Sequence, residues 1–112
     1  MNKAEKLLAG ETIISVEPGN SMVPLIKSRQ PVTLEPITWE QCEKGDMVYC
    51  RVNGKLYTHL VKAKNVKRGV LIGNNHGRNN GWTKKVYGKV TAVHPMDYKP
   101  ESDDLQNDGI EK

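Results

Sequence analysis

A chain of 112 residues with no phenylalanine and a formal net charge of +4 makes one domain with a small core, burying about 65% of its unfolded surface. Two cysteines with no secretory leader ahead of them point to free thiols in a reducing compartment, not a disulfide framework. No apolar run approaches the roughly 18 to 20 residues that span a bilayer, so the expectation is a cytoplasmic protein with no membrane association.

From the N-terminus, residues 3–9 read as a short helix with Gly10 as its C-cap. Strand-like runs follow at 12–17, 31–35, 47–52, 55–63, 69–73 and 86–94, separated by Gly, Pro and Asn. A helical turn is expected around residues 22–27, with Pro24 in its first turn, and a turn or loop at Trp39-Glu40-Gln41 before Cys42. The sum is a mostly β, coiled-sheet or barrel-like domain over residues 1–97 with an acidic tail over 98–112, too poor in apolar residues to order itself. That tail holds 2 basic and 5 acidic residues, leaving 15 against 8 in the body, a net +7. Lys62, Lys64, Lys67, Arg68, Lys84 and Lys85 are spread over hairpin ends without interleaved aromatics, which reads as a solvated basic rim. Fewer than about 12 residues precede the first strand, too few for a helix-turn-helix unit. Both points argue against direct nucleic-acid binding.

Val52-Asn53-Gly54-Lys55 is a strong hairpin signal, implying a two-residue type I′ turn. It pairs Val52 with Lys55, Cys50 with Tyr57 and Val48 with His59. Alternation then puts His59, Tyr57, Val61, Val48, Cys50 and Val52 on one, more apolar face, and Arg51, Thr58, Leu60 and Lys62 on the other.

The segment Val16-Glu17-Pro18-Gly19-Asn20-Ser21-Met22-Val23-Pro24-Leu25-Ile26 sets a small hydroxyl residue on a bend between two apolar runs. Pro18 and Gly19 break the preceding strand and Pro24 keeps the following segment from becoming a long helix. Serine is a weak nucleophile until a base takes its proton, and His59 is the best-placed base. Lys62 points away from it. Taken singly, Ser21 is an ordinary turn residue and His59 an ordinary core histidine; their joint occurrence with the blocks below carries the argument.

Gly-x-Ser-Met-x-Pro, with its core at Ser21-Met22-Val23-Pro24, resembles the nucleophile box of the signal peptidase and LexA-like serine peptidases. Gly45-Asp46-Met47-Val48 is similar to the Gly-Asp-x-Val that opens that clan's strand pair. Thr58-His59-Leu60-Val61 stands where the family carries its general base, a lysine in bacterial signal peptidases and LexA-type repressors. In the endoplasmic-reticulum and archaeal type it is a histidine, usually in His-Arg-Val, so Leu60 replaces the arginine. The segment from Leu71 to Trp82 resembles the Gly-Asp-Asn loop of this subgroup, and Val86-Tyr87-Gly88-Lys89-Val90 its closing strand. The resemblance covers roughly residues 12 to 94 and implies a Ser21/His59 dyad that cleaves a peptide or protein substrate. Asn74 and, further on, Asn79 or Asn80 stand where the histidine-type enzymes carry aspartates, and an amide can orient the imidazole but cannot stabilise an imidazolium as a carboxylate does. Gly19 replaces a hydroxyl that helps bind the oxyanion, leaving that task to the Ser21 N–H, with the Asn20 side chain as a second donor. Tyr57 and Val48 are expected to shape a small apolar pocket. The missing carboxylate favours the competing expectation, a catalytically silent interaction or regulatory module on the same fold.

No metal or cofactor is expected. His59, His76 and His94 lack ligand spacing, CxxC and HExxH are absent, and the Gly/Asn-rich loop is no phosphate cradle. Cys50 shares the face of His59 but reads as a buried, inert thiol. Leu7-Leu8-Ala9-Gly10-Glu11 resembles the Ala-Gly-Glu at which LexA-type proteins cut themselves. The 11 intervening residues, reaching at most about 36–40 Å fully extended, must also form the strand leading to Ser21, which argues against cleavage in cis; cleavage in trans would require a homodimer.

Overall fold

The computed structural model describes residues 1–99 and the backbone of Leu105–Gln106. Helix α1 covers Lys3–Leu8, and strands follow at β1 Ile13–Ser15, β2 Val32–Pro36, β3 Met47–Val52, β4 Lys55–Asn65, β5 Gly69–Gly73, β6 Asn79–Thr83 and β7 Val86–Val93, with the two-residue β8 at Leu105–Gln106. All lie in one sheet of order β6-β5-β4-β3-β7-β2-β1-β8. The sheet is antiparallel except for β8, which pairs parallel to β1. It has two ends, so it coils without closing into a barrel. The acidic tail expected over 98–112 falls mostly outside the described residues; within it, Tyr98 stacks on His94 with ring centroids 3.8 Å apart.

Helix α1 begins because Asn2 and Glu5 form a reciprocal capping box. It ends in a Schellman arrangement: the Gly10 N–H donates to Leu7 C=O and the Glu11 N–H to Lys6 C=O, with Gly10 at φ +92°. The 53–54 turn has Asn53 at φ +50° and Gly54 at φ +83°, the left-handed pair that type I′ demands. It delivers the expected register, Val48 opposite His59 and Cys50 opposite Tyr57. No helix forms over 22–27; the chain passes there through turns, and the Val23–Pro24 peptide is cis. Trp39–Gln41 forms a single 3-10 turn.

Strand β3 sits between β4 and β7, and both of its faces are covered. Val48, Cys50 and Val52 enter one core cluster with Val61, Val70, Ile72 and Val86. Tyr49 and Met47 enter the other, with Leu7, Ile13, Leu34 and Val90. Alternation along one strand thus builds two cores. Gly88 lets α1 approach the second: a Cβ there would lie 2.9 Å from a Leu7 methyl. Among the described residues no helix is long and apolar enough to cross a membrane.

Candidate active site

Gly19, at φ +118°, takes a conformation that side chains disfavour, and it turns the chain out of the β1 direction toward Ser21. The turn is tied from below: the Gly19 N–H donates to Ser28 Oγ at 3.0 Å, the Arg29 N–H to Glu17 C=O at 2.8 Å and the Ile26 N–H to Met22 C=O at 3.0 Å. Met22, 5% exposed, anchors it in the interior.

Ser21 Oγ lies 3.0 Å from His59 Nε2. On the other side of the ring, His59 Nδ1 lies 2.6 Å from Asn80 Oδ1. Because Oδ1 can only accept, Nδ1 carries the proton; Nε2 of the neutral ring is then the acceptor, and the Ser21 hydroxyl donates to it. This is the tautomer a general base requires. His59 is buried and packs its ring 4.7 Å from that of Tyr57. Burial pulls its pKa below 6.5, opposed by the Asn80 hydrogen bond and by Glu17 and assisted by Lys62.

Asn80 reaches the ring because of a bulge. Ile72 pairs with Gly81 and Gly73 with Asn79, so one step on β5 matches two on β6 and Asn80 is the extra residue. A bulged residue is re-aimed relative to the ladder, here toward His59. The other asparagines serve elsewhere: Asn74 Oδ1 accepts from the His76 and Arg78 N–H groups and closes its own turn, while Asn79 is exposed. A residue that sequence reasoning missed is Asn75. Its N–H donates to Ser21 C=O at 2.9 Å and its Nδ2 to Val23 C=O at 3.1 Å, clamping the Ser21 turn on both sides of Met22. His76 Nε2 adds a third clasp, 3.2 Å from Asn20 C=O. No local signal marks Asn75, because the contact spans more than fifty positions of chain.

Asn20 is exposed, and among the described residues it is its carbonyl, not its side chain, that is engaged. The Ser21 N–H makes no hydrogen bond among the described residues, so it is free to face an oxyanion. The apolar pocket expected from Val48 and Tyr57 is not formed, because Val48 is fully enclosed in the core and Tyr57 packs against it. A small cleft, open to solvent, lies instead on the Thr58 side, lined by Ser15, Glu17, Ser21, Met22 and Val32 among others. Glu17 is held there by Lys3 at 3.2 Å and Thr58 at 2.9 Å.

Cys50 is fully buried, and its thiol is pushed up to about 12, chiefly by burial and then by Cys42, so it stays protonated and unreactive. The Ala9–Gly10 bond lies within the helix cap described above and would have to unwind before cleavage. Among the described residues no group of three or more His, Cys, Asp or Glu is placed to hold a metal ion. Compared with family models, curated proteins and solved structures, the chain matches none.

Proposed function

We propose that this protein is a serine peptidase of the signal peptidase and LexA-like type, with Ser21 as nucleophile and His59 as general base. The observation that carries the reading is the Ser21–His59–Asn80 relay, with a hydroxyl 3.0 Å from the unprotonated nitrogen of a buried imidazole. In this mechanism His59 takes the Ser21 proton as Oγ attacks a peptide carbonyl, the Ser21 N–H holds the oxyanion, and His59 returns the proton to the leaving amine. Water, deprotonated by the same imidazole, then releases the acyl group. The motifs and their order support the family assignment, and the accessible cleft beside Ser21 supports a peptide substrate.

The amide at Asn80 favours a second reading, a peptidase fold kept for binding: Asn80 orients the ring but gives the imidazolium no hydrogen-bonded counter-charge. Digestion of a peptide library, with new N-termini identified by mass spectrometry, separates the two. The peptidase reading predicts a common cleavage pattern that disappears in Ser21→Ala. An unchanged library after prolonged incubation with folded wild-type protein favours the binding module.

A further inference from the structure

The cleft beside Ser21 has one polar group without a partner. Ser15, 1% exposed, lines it, and among the described residues its Oγ is the one buried side-chain oxygen or nitrogen that makes no hydrogen bond. Lys27, which also lines the cleft, is exposed and its ammonium makes no ion pair among the described residues, but the other polar side chains around Ser15 are committed. Glu17 accepts from Lys3 and Thr58; Gln30 accepts from the Lys27 N–H and donates to His94 C=O. Val32, Met22 and Ile26 supply the apolar remainder of the wall. A buried hydroxyl left unpaired is destabilising, and alanine at the end of β1 would avoid the cost. Its presence is explained if a ligand completes it, after a rotation of the Ser15 side chain between its staggered positions.

We infer that this cleft is a specificity subsite that takes a small side chain bearing a hydroxyl or carboxamide, such as serine, threonine or asparagine, from a substrate residue near the scissile bond. The inference rests on the reading of Ser21 as a nucleophile toward peptides and adds to it the class of residue recognised. The enclosed part of the cleft is small, which limits it to a short side chain. The Glu17 carboxylate in its wall is already paired with Lys3, and Lys27 also lines the cleft, so the preference comes from the Ser15 hydroxyl and not from a charge in the wall. A basic side chain would have to compete with Lys3 for a carboxylate whose two oxygens are both engaged.

The test uses end-capped alanine-based hexapeptides in which one position at a time is Ala, Ser, Thr or Asn. They are titrated by NMR into the Ser21→Ala protein, which binds without turnover. At one position the polar peptides should bind about 3- to 10-fold more tightly than the alanine peptide, the net worth of a single hydrogen bond. In Ser15→Ala/Ser21→Ala that ratio should fall to one, and its melting temperature should be no lower than that of Ser21→Ala, since no native hydrogen bond is lost. Equal affinities at every position, or no binding of any peptide, would overturn the inference, as would a polar preference that survives Ser15→Ala. Reaction of Ser21 with a fluorophosphonate does not require a filled subsite, so its loss would count against the nucleophile assignment and not against the subsite.

Discussion

Asn80→Asp converts the relay into a Ser-His-Asp constellation with one atom exchanged. The carboxylate would stand where Oδ1 now lies, 2.6 Å from Nδ1, with the imidazolium charge centred roughly 4 Å away. At an effective dielectric constant near 20 that attraction is worth about 4 kcal/mol before the cost of taking the carboxylate out of water. A nearby opposite charge of this kind raises a histidine pKa by about 1–3 units. With the proton only partly transferred at the transition state, a fraction of that stabilisation appears in the rate, so a gain of about 10- to 100-fold is expected, at about 1.4 kcal/mol per factor of ten. The amide already enforces the tautomer, and the gain therefore stays below the roughly 10⁴-fold effect seen when an aspartate is replaced by asparagine in a Ser-His-Asp triad. The assay is the second-order rate of Ser21 phosphonylation by a fluorophosphonate, followed by intact mass from about pH 5 to about pH 9, the span in which a histidine titrates. A raised pKa means that the acid limb moves to higher pH: the gain is complete above the new pKa and shrinks below it, where His59 is already protonated. A folded Asn80→Asp protein with an unchanged rate and an unmoved limb would refute the argument that the missing counter-charge limits this site.

In the wild-type protein burial keeps His59 neutral below its ordinary pKa, so phosphonylation should be at its plateau by neutral pH and decline only below about 6.5; a limb centred above 7 would contradict the burial argument. Glu17→Gln leaves the Lys3 ammonium, 6% exposed, without its partner and weakens the anchor of Thr58, which should cost about 1–3 kcal/mol and lower the thermal midpoint by several degrees. Asn75→Ala removes the clasp on Val23 C=O, with an expected loss of about 1 kcal/mol in stability and slower phosphonylation of Ser21 at full occupancy of the fold; a slower rate without that destabilisation would assign Asn75 to chemistry instead of positioning.

The hairpin was the most legible part of the fold. Asn53-Gly54 permits one turn type, the turn sets the register, and period-two alternation then places His59 on the face shared with Val48, Cys50 and Val61. The nucleophile bend was legible for a similar reason, since Gly19 and the two flanking prolines restrict what the backbone can do. Strand β6 was not. Asn79-Asn80-Gly81 carries turn composition and becomes a strand because β5 offers it a ladder, a tertiary effect that outweighs weak local preference. Which of three asparagines meets His59 depends on the bulge at Asn80, and a one-residue slip has no signature in composition. The cleft was invisible for a plainer reason: Ser15 and Val32 are cross-strand partners on β1 and β2, but Thr58 comes from β4, which β3 and β7 separate from them in the sheet. An apolar pocket at Val48 and Tyr57 looked natural from the pattern, but the same apolarity draws Val48 into the core and packs Tyr57 against it.

Peptide mapping of the protein after reaction with a fluorophosphonate tests whether Ser21 is a nucleophile made reactive by His59. The expected result is a single phosphonyl adduct on Ser21 in the wild type, none in Ser21→Ala, and at least about a 100-fold slower reaction in His59→Ala, the scale of general-base assistance. A wild-type protein that takes up no adduct at high probe concentration, or one that is modified at Ser21 equally fast without His59, would contradict it.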